Sequence, residues 1–423
     1  MTFEELYNKT VTNQIVGWTR ETTPTEDIEK LSETLSIQYN KDMKEFMKTN
    51  PLHPVTIFNA DYCFEDALDK KHTQACNKLW KKYLEMRKTK LPADDEYFDL
   101  LENVIKVTKE KLKVKNLNSN DLMFFNDDRL GDSDFVHSVV ERMAEISKKF
   151  LQEKPKNSTS TIQQKPLEDI LNYIKHYDDV GYLMSDKNGS FMTAIDKNTS
   201  RIHISENKKD LFDTDSSVKH EMGHALYQNR ILSKNTEIGK IGHCISLSLH
   251  ESSSIVHEIS LAGIDYNVRD RVANLYRLGT DKVHYIIHIY IRMKLEKMLF
   301  DGDITVRQLP EKWDDLMEEY IGIRPNNQWE GFLQDVHWNG GSFGYFHSYA
   351  IGFFNAVTMY QEIKDGFTED EHYNTKIILK KINKWYGHYN EYSFDILKDM
   401  HPDIGESLDN YENFIMSNFS FNG

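Results

Sequence analysis

The pentapeptide His220-Glu221-Met222-Gly223-His224 is the part of this chain best equipped for chemistry. Two imidazoles four residues apart share one face of a helix, so both can reach one ion. The glutamate between them is displaced by one residue, which takes it off the ion and towards a water beside it. Zinc lowers the pKa of such a water towards ~7, and a nearby carboxylate can accept the proton as the water attacks a carbonyl. Val218, Met222, Ala225 and Leu226 repeat with helical period around the motif, and Ser216 or Ser217 is expected to cap the helix start.

Two histidines leave a catalytic zinc one protein ligand short. The next helix-like stretch, Leu249 to Glu258, offers two carboxylates. Glu251 is the expected third ligand, and Glu258, about two turns further on, is its competitor. A site of two histidines and one carboxylate also accepts Co2+ or Mn2+ in place of zinc. His284 and His288 repeat the four-residue spacing, but no glutamate stands between them in the general-base position. They read as structural or cleft-lining.

The rest of the chain must position these groups. It has 423 residues, of which only 20 are Gly and 9 Pro, well under the usual roughly 12% share. So few turn formers argue against an all-β fold and for long helices. With 52 basic and 67 acidic residues the formal charge is −15, which disfavours nucleic acid as a partner. Three cysteines (Cys63, Cys76 and Cys244) make no disulfide framework and read as reduced thiols. The N-terminus is acidic and lacks a long apolar run, and no stretch is apolar enough to span a membrane, so the expected location is cytoplasmic.

Residues 1–115 carry modest helical stripes, such as Ile28, Leu31, Leu35 and Tyr39, or Leu79, Tyr83 and Met86. Glu153–Pro166 reads as a polar surface linker. The clear β signal is a hairpin, Ser190–Ile195 and Arg201–Ser205 around the turn Asp196-Lys197-Asn198-Thr199. Gly302 and Gly322 mark helix stops. The expected fold is mainly α, one large helical domain over residues 1–423 with a deep central groove and a small β-hairpin or sheet beside the metal-binding helix.

Several blocks together resemble the carboxypeptidase Taq family of thermolysin-like zinc metallocarboxypeptidases. His250-Glu251-Ser252 looks like that family's second metal motif. Gly331-Phe332-Leu333-Gln334-Asp335-Val336-His337-Trp338 matches its Gly-x-x-Gln-Asp-x-His-Trp block, and Gly341-Ser342-Phe343-Gly344-Tyr345-Phe346 matches the sequel. Arg277-Leu278-Gly279-Thr280-Asp281 resembles the Arg-x-x-Ala-Asp block. The resemblance covers residues from about 165 to 423. It departs on the hairpin, where His-Pro-Phe appears as Gly189-Ser190-Phe191 and Asp-x-Arg-x-Thr keeps only Arg201.

The resemblance implies removal of the C-terminal residue from peptides, with Glu221 as general base, and a homodimer. A guanidinium fork pairs naturally with a free α-carboxylate; for binding peptides with a free C-terminus Arg277 is the first choice, because it falls in a block that resembles the family's, and Arg201 on the hairpin the second. His337 and Tyr345 can donate to an oxyanion, and Asp335 or Asp281 can orient a histidine. The family pattern also carries a histidine where His288 stands, which leaves a substrate-side role open to it. Arg292 and Arg324 read as ordinary helix-face and turn charges. The rival readings are an oligopeptide endopeptidase or aminopeptidase on a related scaffold, and an inactive metal- or peptide-binding relative.

Overall fold

The computed structural model describes residues 1–59, 67–114, 116–119, 121–122, 132–153, 165–185, 189–205, 211–244, 246–262, 267–268, 282–385, 393–418 and 420–421. Arg277, Asp281, Cys63 and nearly all of the expected Glu153–Pro166 linker lie outside them. The described chain is mainly α-helical with a small three-stranded sheet, as composition and periodicity lead one to expect. It divides into two compact units. One comprises residues 1–64, 163–263 and 359–391; the other comprises 65–162, 264–358 and 392–423.

The first unit opens with the helices Phe3–Thr22 and Glu26–Thr49. Thr2 and Glu5 form a reciprocal capping box on the first, and the Thr25 side chain accepts from Ile28 N on the second. Leu6, Met43 and Phe46 pack with Val55, Ile238 and Ile241 in one cluster. The stripe through Leu31 is shallower than its spacing predicts, since Leu31 is exposed and Ser32, Asp42, Met43 and Phe46 are the buried positions.

The hairpin forms as expected, with Phe191–Ala194 antiparallel to Ser200–Ser205. Asp196 Oδ1 closes its turn by accepting from the backbone N–H of Asn198 (2.7 Å) and Thr199 (2.8 Å). A third strand, Val180–Ser185, pairs in parallel with Ser200–Ser205 and makes that strand central. Ile202 and Ile204 are wholly buried, and the Ser200–Ser205 strand packs against the helix Leu211–Tyr227 that carries the histidine pair.

The second unit is built from the helices Ala67–Thr89, Asp95–Val114, Ser133–Glu153, Lys282–Asp301, Leu309–Ile321 and Ile404–Asn418. Leu79, Tyr83 and Met86 are buried, as their spacing predicts. On Asp95–Val114 the apolar face buries Val104, Val107 and Leu112 and leaves Lys106 and Lys113 exposed. Gly302 and Gly322 adopt φ of 87° and 77° at the ends of their helices, a conformation open to glycine at little cost. Among the described residues no helix is long and apolar enough to cross a membrane.

Candidate metal centre

The motif helix, Leu211–Tyr227, and the carboxylate helix, Leu247–His257, pack as an antiparallel pair in the first unit. Ser216, His220 and His224 fall on one face of the motif helix because they stand four apart. Glu251 and Glu258 fall on one face of the other chain segment because seven residues make nearly two full turns. The early end of the first face therefore meets Glu258 and the late end meets His250 and Glu251.

Glycine makes this approach close. A Cβ at Gly223 would sit 2.6 Å from Ser254 Cα and 2.7 Å from Ser253 O, both backbone atoms of the facing helix. In its absence Ser253 Oγ donates to Gly223 O at 3.0 Å and ties the two helices together. Ser246 caps the carboxylate helix by accepting from Leu249 N at 3.1 Å. The motif helix starts at Leu211, so Ser216 is an interior residue rather than the expected cap. Its hydroxyl donates instead to Glu258 Oε1 at 2.6 Å. Both helices run on into π-helical turns, Gln228–Leu232 and Glu258–Ala262.

His220, His224 and Glu251 offer ligand atoms that all lie within 4.8 Å of one another, the one such group of three among the described residues. Glu251 Oε2 is 3.8 Å from His220 Nε2 and 3.6 Å from His224 Nε2. Two imidazole nitrogens and one carboxylate at this spacing suit a divalent ion that keeps an open position. Glu258 sits behind His220, accepting from His220 Nδ1 at 3.1 Å. His224 Nδ1 stands 2.5 Å from His250 Nδ1, so one ring donates and the other accepts.

The electrostatics follow from burial of like and unlike charges. Burial opposes a charged His220, but the Glu258 hydrogen bond and the surrounding carboxylates outweigh it and raise its pKa. Burial, with His250 and His220 adding, drives His224 well below its usual value. His250 falls to about 4, mainly by burial, and is neutral at pH 7. Burial raises the Glu221 carboxyl to about 7; His220 opposes this, while Glu251 and Glu258 add to it. A carboxyl held near neutrality is poised for proton transfer.

The chain also matches known proteins. The model of the carboxypeptidase Taq (M32) metallopeptidase family matches residues 69–265 and 264–389. The chain belongs to the carboxypeptidase Taq (M32) metallopeptidase family. Carboxypeptidase 1 of Bacillus subtilis (strain 168) is 28% identical over 236 residues, covering 49% of this chain and 47% of that protein. Thermostable carboxypeptidase 1 of Thermus thermophilus is 32% identical over 169 residues, covering 34% of this chain and 33% of that protein. The chain thus spans under half the length of these curated relatives where it matches them. The fold is shared over nearly the whole chain. A structure of Pyrococcus furiosus carboxypeptidase covers 98% of this chain and 97% of its own at a TM-score of 0.76 and 20% identity. An M32 carboxypeptidase from Deinococcus radiodurans R1 covers 98% of each chain at a TM-score of 0.77 and 17% identity.

The other residues expected to serve an M32 site are distributed as follows. Arg201 lies in the first unit on Ser200–Ser205; it is exposed, with its stem over Gly181 and no acidic partner among the described residues. Arg277 lies outside the described residues. His337 and Tyr345 belong to the second unit, where their rings stack with centroids 6.0 Å apart. His337 Nε2 is 3.4 Å from Tyr349 Oη, and Asp335 Oδ2 is 3.5 Å from His337 Nδ1. His284 and His288 are both buried, in keeping with a structural reading. The His288 ring meets Trp313 edge-on at 5.6 Å, and Arg292 donates to its Nδ1.

Arg292 corrects the reading of it as a helix-face charge. Only 7% exposed, it donates through Nε to Asp335 Oδ2 at 2.6 Å and lies 4.8 Å from the Trp313 ring centroid. An ion pair buried among aromatics is what lets a guanidinium face inwards. Arg324 is exposed at its turn and paired with Asp315 and Glu318, as expected. Sequence reasoning also missed the roles of Ser216 and His250; helical spacing from the ligand candidates was the signal that could have found both.

Proposed function

We propose that this M32 protein is a zinc-dependent carboxypeptidase that removes the C-terminal residue from peptides. The convergence of His220, His224 and Glu251 beside Glu221, on two helices held together at Gly223, is the observation that carries this reading. These three residues would hold the ion, with Co2+ or Mn2+ as substitutes. When bound, the ion supplies Lewis-acid activation of water and of the scissile carbonyl.

The chain's own groups do the rest. Glu221 takes the proton from the attacking water and delivers it to the leaving amine, a task suited to a buried carboxyl raised to about 7. Arg277, with Arg201, holds the terminal carboxylate through a planar fork; the exposure of Arg201 and its lack of an acidic neighbour among the described residues support its share. His337 and Tyr345 donate to the developing oxyanion. The homodimer that the family resemblance implies and a single peptidase domain over residues 1–423 belong to the same proposal. So does a cytoplasmic setting, which the small number of cysteines favours.

The test offers zinc-loaded protein an N-blocked dipeptide with a free C-terminus and the same peptide amidated. Cleavage of the acid and not the amide is expected. Equal cleavage of both would count for an endopeptidase. Cleavage of neither, with one zinc bound and no effect of Glu221→Gln, would mark an inactive relative.

A further inference from the structure

The competitor for third ligand has a different place in the structure. Glu258 is 7% exposed and lies at the start of the π-helical turn Glu258–Ala262. Its Oε2 meets the Nδ1 side of the His220 ring, while Glu251 Oε2 faces the Nε2 side. A carboxylate can only accept, so this contact puts the ring proton on Nδ1 and leaves the Nε2 lone pair directed towards Glu251 and His224. The carboxylate is itself held, because Ser216 Oγ donates to Oε1 at 2.6 Å. Ser216 stands one helical turn before His220, so one segment of the motif helix grips both oxygens of Glu258.

We propose that Glu258 is a positioning residue for the metal centre, acting through His220, with Ser216 fixing its carboxylate. The inference rests on the metal-centre reading above and deepens it. Such outer contacts set ring orientation and tautomer, and their loss typically weakens metal binding by about 10- to 100-fold.

Zinc affinity is measured by competition with a chromophoric chelator, and the ring 15N spectrum of the zinc-free protein reports the His220 tautomer. Circular dichroism checks that each variant is folded. Glu258→Gln keeps an acceptor oxygen at the same reach and should bind within about threefold of wild type. Glu258→Asp keeps the charge but withdraws it by one methylene, and should bind about 10-fold or more weakly, with partial loss of the His220 Nδ1–H form. Glu258→Ala should fall furthest. A role that was only long-range electrostatics predicts the reverse order for Gln and Asp, and that order overturns the proposal. So does a set of folded variants that all bind zinc like wild type with an unchanged His220 spectrum. Should Glu258→Ala fail to fold, the Gln and Asp variants decide alone. Failure of wild type itself to take up zinc would remove the metal centre, a result distinct from any ordering among the variants.

Discussion

Adding one methyl group at Gly223 should separate the two helices of the candidate metal centre. A Cβ there would lie 2.6 Å from Ser254 Cα and 2.7 Å from Ser253 O, with His257 Nδ1 at 3.1 Å. Carbon atoms in contact ordinarily stand about 3.5–4.0 Å apart, so the gap must open by about 1 Å. Overpacking of this kind costs about 1–3 kcal/mol. Loss of the Ser253 Oγ to Gly223 O hydrogen bond adds about 1 kcal/mol, and the better helix propensity of alanine returns about the same amount. The expected net destabilisation is therefore about 1–3 kcal/mol. Glu251 Oε2 now lies 3.6 and 3.8 Å from the two Nε2 atoms, a span that one ion with ~2 Å bonds can bridge. Moved outward by about 1 Å, the carboxylate no longer completes the set, and zinc affinity should fall at least about 100-fold, or ~2.7 kcal/mol. Gly17 in the Phe3–Thr22 helix is the control, since nothing lies within 4 Å of its would-be Cβ. Gly17→Ala should stabilise by about 0.4–1 kcal/mol and leave zinc binding alone. Denaturant unfolding and zinc titration of both variants check the pair. Gly223→Ala with wild-type stability and zinc affinity would refute the close-approach argument.

Three further outcomes follow from the structure. Glu221→Gln should lower hydrolysis of the free-acid dipeptide by about 10²- to 10⁴-fold with zinc stoichiometry unchanged, as steady-state kinetics and metal analysis would show. Glu296 is 3% exposed, accepts from Trp338 Nε1 (2.8 Å) and Gly344 N (3.1 Å), and is raised to about 8 chiefly by burial. A carboxyl raised on folding binds more protons folded than unfolded, so stability should fall as pH rises from about 5 to 8; Glu296→Gln should flatten that slope in unfolding curves. Asp335 is buried, yet Arg292 and His337 hold its carboxyl well below the usual carboxylate range. Its contribution is present above its ordinary pKa near 4 and is lost as pH falls below that, and Asp335→Asn, which strands Arg292, should cost about 3–5 kcal/mol at pH 7.

Helical spacing alone makes much of the candidate metal centre legible. His220 and His224 share a face because four residues nearly complete a turn, and Glu251 was selected because a catalytic zinc needs a third donor. What spacing could not decide was which side of an imidazole a carboxylate meets. That depends on the antiparallel packing of two helices, and it separates Glu251 from Glu258. The hairpin was visible in its alternation and its Asp-Lys-Asn-Thr turn, whereas Val180–Ser185 carries Gly181 and no clear alternation, and no local turn marks its pairing with the parallel partner, Ser200–Ser205. Arg292 was misread because a charged residue on a helix is usually solvated. Its neutralising partner, Asp335, lies 43 residues away in sequence, beyond the reach of any local pattern.

Diffraction from zinc-soaked crystals at the metal absorption edge would locate the ion and its ligands. One strong anomalous peak per chain is expected, bonded to His220 Nε2, His224 Nε2 and a Glu251 oxygen at about 2.0–2.2 Å. A peak bonded elsewhere, or a Glu251 carboxylate turned away from both rings in the loaded protein, would contradict the proposed metal centre.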